Sequence, residues 1–440
     1  YLAVDVASGA VHVLDKPAYL VLKAAGETAQ RPAQVDGLDA GTVDAIWSEL
    51  MQLKEQGLLW SEEDYADPAL AVQKNAPIKA LCLHVSHDCN LRCEYCFAST
   101  GDFGTGRKLM PIDVAKRAID FVIERSGKRR NIEIDFFGGE PLMAMDTVKA
   151  TVDYARSKEA EFNKHFRFTI TTNGLLLNDE NIEYINREMK NCVLSLDGRP
   201  EVNDRTRKTV SGDGSYKYIV PKFQKLLESR DKKLDYYVRG TFTRDNLDFS
   251  EDVLHMASLG FDRISVEPVI SAPGTPYELR EEDLPRIYEE YDRLAEELSK
   301  RDDFLFFHFM VDLNQGPCII KRMRGCGAGS EYVAVTPEGD LYPCHQFVGN
   351  EDYYLGSVMD GSFNMEIADR FAALNIYTRE KCRNCWAKFY CTGGCSASNL
   401  LVNGDIAVPH EVGCCMERKR LECAIGLKAL AMARAEEHEA

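Results

Sequence analysis

Cys89-Asn90-Leu91-Arg92-Cys93-Glu94-Tyr95-Cys96 decides how this chain reads. Three cysteines, at spacings of four and three residues, follow the mostly apolar run Ile78 to Val85. A loop this short wraps three thiolates around one iron–sulfur cube, thiolates being the usual protein ligands of such clusters. It supplies no fourth ligand, so one iron keeps an open site for a small chelate such as the amino and carboxylate groups of a methionine. A zinc ion held by the same three cysteines and one remote ligand is the alternative that the loop alone leaves open.

Outward from the loop, strand-like and helical patterns alternate. Strands are predicted over Ile78–Val85, Ile132–Phe137, Phe166–Thr171, Cys192–Leu196, Leu234–Thr243 and Asp262–Pro268. Helices are predicted between them, over Val114–Arg125, Met145–Ala160, Glu180–Met189, Tyr216–Glu228 and Ser250–Leu259. Such alternation implies an α/β fold with a parallel sheet. The cysteine loop follows the first strand, on the side where barrel active sites sit. Other strand ends carry Gly138-Gly139-Glu140-Pro141, Thr171-Thr172-Asn173-Gly174, Ser195-Leu196-Asp197-Gly198 and Arg239-Gly240-Thr241. Paired glycines let a ligand approach the backbone closely. Each stretch alone is an ordinary turn; their recurrence at successive strand ends points to one site.

The CxxxCxxC loop, followed by Phe97, resembles the signature of the radical S-adenosylmethionine (SAM) enzymes. The six strand–helix units resemble that family's partial (β/α)6, TIM-like barrel. The resemblance implies a [4Fe-4S] cluster on Cys89, Cys93 and Cys96, and a bound SAM cleaved to a 5′-deoxyadenosyl radical, with the protein supplying positioning and exclusion of water. It assigns the SAM amino group to Gly138, Gly139 and Glu140. It gives further SAM contacts to Ser195 and Arg207, the latter as a cation for the carboxylate, and gives the adenine to the backbone of Tyr95.

A second array begins at Cys326, with Gly339 and Cys344 downstream. Cys382-x2-Cys385-x5-Cys391-x3-Cys395 follows and, after eighteen residues, Cys414. A zinc knuckle over residues 382–395 is the other reading of this spacing. The array over residues 318–420 resembles the SPASM domain, which implies two auxiliary [4Fe-4S] clusters and three clusters in all. The resemblance places Cys382, Cys385, Cys391 and Cys414 on a distal cluster. It places Cys326, Cys344 and Cys395 on a nearer one, whose fourth position falls to Cys318 or stays open. Cys415 and Cys423 are left over, and Cys82 and Cys192, inside strand-like runs, read as core residues.

Residues 1–75 read as a separate module. Tyr1–Val6 and Ala10–Leu14 are predicted strands joined around Ser8-Gly9, Pro17 opens a short helix, and a helix over Thr42–Gln56 stops at Gly57 before the apolar Leu58-Leu59-Trp60. The module resembles the winged-helix-like recognition elements of ribosomal-peptide maturases, in which a leader peptide adds a strand to a sheet edge; a plain structural cap and a DNA-binding wing, the latter disfavoured by charge, are the alternatives. The expected organisation is this module, the barrel over 76–310, the SPASM domain over 311–425 and a terminal helix over 426–440. Residues 281–300 read as a charged helix with a solvated face, and residues 416–440 as Ala-rich and helical.

Composition bounds the partners. The 440 residues allow two or three domains, and 45% hydrophobic content allows large cores. A formal charge of −17 speaks against a nucleic-acid partner, whose footprint is a basic patch. No uncharged apolar run approaches the ~18 residues of a membrane span, and Tyr1 to Val6 lack the start of a signal peptide. Fifteen cysteines in a large chain with no export signal read as metal or redox ligands rather than disulfides. A cytoplasmic protein is expected.

The SPASM resemblance implies a peptide substrate. Sulfatase maturases carry an Asp directly after the cysteine that matches Cys344; here His345 stands in that place. With the N-terminal module, Cys82-Leu-His-Val-Ser-His-Asp-Cys89 most resembles the maturases of SCIFF peptides. That implies a cysteine sulfur-to-carbon thioether crosslink in a cysteine-rich precursor peptide. It also implies an electron donor of ferredoxin or flavodoxin type, and His345 or Glu338 as proton acceptor. A carbon–carbon crosslink, a sulfatase-type cysteine oxidation and a non-catalytic zinc-binding peptide-recognition protein are the alternatives.

Overall fold

Ile132, Ile134 and Phe136 are fully buried, whereas the residues between them are only partly so. Phe166, Phe168 and Ile170 repeat the pattern on the next strand. With a side-chain period of two, one face of each strand packs under helices. The other, carrying Glu133, Asp135, Thr169 and Thr171, lines an interior.

A computed structural model describes residues 1–63, 76–313 and 322–439; Cys318 lies outside them. The strands are β1 (Leu2–Val4), β2 (Val11–Val13), β3 (Ala80–Ser86), β4 (Leu91–Cys93), β5 (Asn131–Gly138), β6 (His165–Thr172) and β7 (Met189–Ser195). They continue with β8 (Arg207–Thr209), β9 (Asp235–Phe242), β10 (Arg263–Pro268), β11 (Leu305–Phe306), β12 (Tyr332–Val335), β13 (Asp340–Tyr342) and β14 (Gly356–Ser357). The helices are α1 (Lys16–Ala25), α2 (Ala40–Glu55), α3 (Ile112–Arg125), α4 (Met145–Phe162), α5 (Asp179–Glu188), α6 (Pro200–Thr206) and α7 (Tyr216–Glu228). After them come α8 (Phe249–Ser258), α9 (Leu284–Leu298), α10 (Met365–Ala372), α11 (Glu380–Arg383), α12 (Lys388–Cys391), α13 (Ser396–Asn403) and α14 (Glu411–Glu439).

β3, β5, β6, β7, β9 and β10 lie side by side in chain order, every neighbouring pair parallel. This is the expected six-unit partial barrel, with strand limits within three residues of those predicted. The sheet also runs further than the alternation showed. β12 joins β3 in parallel, with Val333 opposite Leu81, and β13 and β14 continue antiparallel, so the C-terminal cysteine region is hydrogen-bonded to the first barrel strand.

Two expectations change in detail. The segment predicted as a solvated charged helix is α9, whose Ile287, Tyr291 and Leu294 are fully buried. Apolar residues at i, i+4 and i+7 make a stripe even in a charged sequence, and this helix packs against α14. The terminal helix starts at Glu411, so Cys414 and Cys415 stand on it.

After the β1–β2 hairpin, α1, α2 and their loops enclose a small core of Val21, Val35, Val43, Leu50 and Leu59. Val6 packs on Met323, Ile376, Tyr377, Cys382 and Phe389, and Glu63 pairs with the buried Lys388 at 2.6 Å. Both contacts hold the N-terminal residues against the second cysteine array. Among the described residues no helix is long and apolar enough to cross a membrane.

Candidate active site

The cysteine loop is held by backbone packed against backbone. The N–H of Gly139 donates to the Ser86 carbonyl at 2.7 Å, and that of Glu140 to the Asp88 carbonyl at 2.9 Å. A Cβ at Gly138 would lie 2.1 Å from the Ser86 oxygen, and one at Gly139 2.2 Å from the Asp88 oxygen. The paired glycines are therefore required by the fit of the β5 end against the loop, whatever ligand they also admit. Glu140 is fully buried and accepts from Thr172 Oγ1 at 2.7 Å, from Asn173 N at 2.8 Å and from Leu142 N at 3.1 Å. Burial pushes its carboxyl up to about 7 against these donors. It fastens the ends of β5 and β6 together.

β4 runs antiparallel to β8, which sets Cys93 opposite Arg207. Behind this pair stands Asp197, 1% exposed. It accepts from Tyr95 OH at 2.8 and 2.9 Å, from Thr206 Oγ1 at 3.1 Å and from the Thr241 N–H at 3.0 Å, and it pairs with Arg207 at 3.0 Å. Burial would pull the Arg207 guanidinium down, but Asp197 holds it well above its ordinary value. One carboxylate thus ties the cysteine loop, β8 and the end of β9. Arg207, expected as the cation for the SAM carboxylate, already has a carboxylate partner here. Tyr95 contributes its hydroxyl to the same group.

Burial pushes the Cys89 and Cys93 thiols up to about 12, with Arg207 opposing it at Cys93. The Leu91 N–H and Asn173 Nδ2 point at Cys89 Sγ from 3.4 and 3.6 Å. Thiols so buried ionise when a metal centre compensates the charge, and N–H groups aimed at sulfur suit cluster thiolates. The donor set therefore fits an iron–sulfur cluster. Among the described residues no group of three or more His, Cys, Asp or Glu is gathered closely enough to hold a lone metal ion.

These thiols open onto a cavity of about 440 Å³. Its wall brings together Cys89, Cys93, Cys96, Tyr95, Gly138, Gly139, Glu140, Ser195 and Arg207 from the barrel, and His345, Cys391, Cys395 and Cys414 from the second cysteine array. A smaller cavity of about 240 Å³ is lined by Cys382, Cys385, Cys391 and Cys414, the expected distal set. Cys326, Cys344 and Cys395 lie within electrostatic reach of one another. Backbone N–H groups of Gly393 and Gly394 face Cys391, those of Ala397 and Ser398 face Cys395, and those of Gln346 and Phe347 face Cys344. Both C-terminal sets thus also present sulfurs met by amides. Of the leftover thiols, Cys415 accepts from Arg418 at 3.1 Å and Cys423 faces Asp292 at 3.7 Å.

The two expected proton acceptors part company. His345 packs on Phe137 and Phe97, with ring centroids 5.0 and 5.3 Å away, and its buried Nδ1 has no hydrogen-bond partner among the described residues. Burial, with the Arg239 charge, pulls it down to about 4, so the ring is neutral. Glu338 does not line the cavity; it stands between β12 and β13 in an ion pair with Lys108. A short hairpin carries its turn residues beyond the strand ends, away from the cavity wall.

Sequence reasoning missed one side of the cavity. Glu267, at the end of β10, lies 3.8 Å from Arg239 and 3.5 Å from His308. Arg420 reaches His308 Nδ1 at 2.8 Å and pairs with Glu417. Glu417 follows Cys414 by three residues on α14, a helical spacing that could have placed it beside the cysteine; Arg420 is in turn the i+3 neighbour of Glu417.

Residues 83–248 match the family model described as the Radical SAM superfamily, and residues 326–386 match SPASM, an iron–sulfur cluster-binding domain. The radical SAM cyclopropyl synthase TigE of Paramaledivibacter caminithermalis is 24% identical over 372 residues, 78% of this chain and 73% of its own length. A cysteine-type anaerobic sulfatase-maturating enzyme of Clostridium novyi is 24% identical over 332 residues, 70% of this chain and 85% of its own. The structure of native anSMEcpe with bound AdoMet superposes with a TM-score of 0.66 at 18% identity, covering 81% of this chain and 100% of that one. The last match shows a shared fold.

Proposed function

From a chain that carries a radical SAM domain followed by a SPASM iron–sulfur cluster-binding domain, we infer a radical SAM enzyme that modifies a ribosomally made peptide. Its product is a cysteine sulfur-to-carbon thioether crosslink in a cysteine-rich precursor. The observation that carries the reading is the shared cavity: the first cysteine loop and three cysteines of the second array line the same wall. The relatives support a radical modification without fixing its kind, since one is named a cyclopropyl synthase and another a sulfatase-maturating enzyme.

Cys89, Cys93 and Cys96 would hold the SAM-binding cluster, Cys382, Cys385, Cys391 and Cys414 the distal one, and Cys326, Cys344 and Cys395 the nearer one. When bound, SAM and the clusters supply the radical that takes one hydrogen atom from the peptide and an acceptor for the one electron left when sulfur joins carbon; a ferredoxin- or flavodoxin-type donor supplies the starting electron. The chain does the rest. Asp197 and Glu140 fix the loop and the strand ends. Gly138, Gly139, Ser195 and Tyr95 shape the SAM side of the cavity. His345 presents a neutral ring whose free Nδ1 can take the proton leaving the peptide thiol. Glu267, Glu417, Arg239 and Arg420 give the far wall alternating charges that can orient a peptide backbone. The N-terminal hairpin, docked beside the second array, would hold the leader.

The test is co-expression with candidate cysteine-rich peptides, followed by mass spectrometry. A loss of two hydrogens with the thiol no longer alkylatable is expected. Loss of two hydrogens with the thiol still reactive means a carbon–carbon crosslink instead, and an unmodified peptide beside zinc-loaded protein removes the enzyme reading.

A further inference from the structure

Arg379 is the residue that caps α11, and it is 5% exposed. Its guanidinium donates to the Gly393 carbonyl at 2.6 Å, to Ser396 Oγ at 2.9 Å and to the Ile406 carbonyl at 3.4 Å. Its Nε, also buried, has no hydrogen-bond partner among the described residues. Gly393 makes room for it: φ there is +94°, and a Cβ would lie 2.3 Å from the guanidinium nitrogen. Among the described residues no carboxylate pairs with this arginine. The charges within reach are instead the thiols of Cys382 and Cys391 from one set and of Cys326 and Cys395 from the other.

A buried cation is costly unless something negative compensates it, and arginine does not escape by losing its proton. The guanidinium is bonded to Gly393 and Ser396, which stand two residues past Cys391 and one past Cys395, so negative charge gathered on the sulfurs of either set would compensate it. The structural alternative is that Arg379 merely staples two loops through its carbonyl contacts. That alternative requires no charge, and it leaves both the orphan Nε and the lack of a carboxylate without a reason.

We propose that Arg379 is a shared electrostatic tuning residue for the two auxiliary clusters, raising the reduction potential of both. The inference rests on the reading that both sets hold iron–sulfur clusters. Reduction adds one negative charge to a cluster, and a fixed cation beside it in a low-dielectric interior favours the added electron. Arg379 touches no substrate; it acts through the thiolates. It would make the auxiliary clusters willing acceptors of the electron released on crosslinking.

The experiment uses the full chain, anaerobically loaded, with iron and sulfide analysis followed by a redox titration read by EPR. Wild type is compared with Arg379→Gln, Arg379→Met and Arg379→Lys. In the Gln and Met variants, at full iron content, the reduced-to-oxidised ratio of both auxiliary clusters at fixed poise should fall at least about tenfold, which is about 59 mV for a one-electron couple. The Lys variant should stay within about threefold of wild type. Neutral variants that keep their iron and titrate like wild type overturn the proposal. Should the neutral variants shed iron, the Lys variant decides: retained clusters with near-wild-type titration support it, and a tenfold fall or loss of iron overturns it. A wild-type chain that binds only about four irons, one cube's worth, instead defeats the SPASM reading beneath it.

Discussion

Asp197→Asn is the sharpest perturbation of the site. The change keeps the shape and one acceptor oxygen but removes the charge that faces Arg207 at 3.0 Å. Arg207 is almost buried, its side chain 11% exposed, so its cation would be left without its partner. Removing one member of such a pair costs about 3–5 kcal/mol. The remaining amide oxygen still accepts from Tyr95 or Thr241, which puts the expected loss near the lower end, about 3 kcal/mol. At about 2–4 °C per kcal/mol for a domain of this size, the barrel's unfolding midpoint should fall by about 6–12 °C. Far-UV circular dichroism of the anaerobic protein measures it. Arg207→Met in the same background tests the cause: with the cation gone, Asp197→Asn should cost at least about 2 kcal/mol less than it does alone. A single variant within about 0.5 kcal/mol of wild type, or a double variant that is simply additive, refutes the role given to the pair.

Other outcomes follow from the same contacts. Gly139→Ala drives a Cβ into the Asp88 carbonyl and should empty the first cysteine loop of iron, whereas Gly426→Ala, which meets nothing within 4 Å, should leave iron content unchanged. Burial and then the Glu133 charge raise the Asp135 carboxyl from 3.8 to about 7, so the folded chain holds its proton more tightly than the unfolded one. That stabilisation is present in full below about pH 4 and is lost as pH rises toward 7; because the side chain is only half-buried, Asp135→Asn should exceed wild type at pH 8 by about 2 kcal/mol at most, and a variant with an unchanged pH slope in thermal unfolding would contradict this. Lys388→Met removes the partner of Glu63 and should expose the N-terminal module to limited proteolysis faster than wild type.

The order of the parallel strands was legible because each apolar strand and amphipathic helix declares itself within about ten residues, and the cysteine spacings declared their own loops. What the sequence could not declare was pairing across the whole chain. β12 lies some 250 residues from β3, and nothing local in Tyr332–Val335 names Leu81 as its neighbour. For the same reason Asp197 looked like a turn residue, although three separate segments converge on it. Glu338 was named beside His345 as a proton acceptor, but the turn between β12 and β13 sets it in an ion pair with Lys108, away from the cavity wall. Arg379 and Gly393 are unremarkable apart; only the fold puts one inside the space the other leaves.

Everything proposed for this chain requires that Cys89, Cys93 and Cys96 hold a cluster with one iron left open for SAM. EPR of the dithionite-reduced protein, with and without SAM, tests it most directly. SAM should reshape the signal of one cluster, and replacing all three cysteines by Ala should remove that signal while the remaining iron stays. A spectrum indifferent to SAM, or zinc bound stoichiometrically at these three residues, would contradict it.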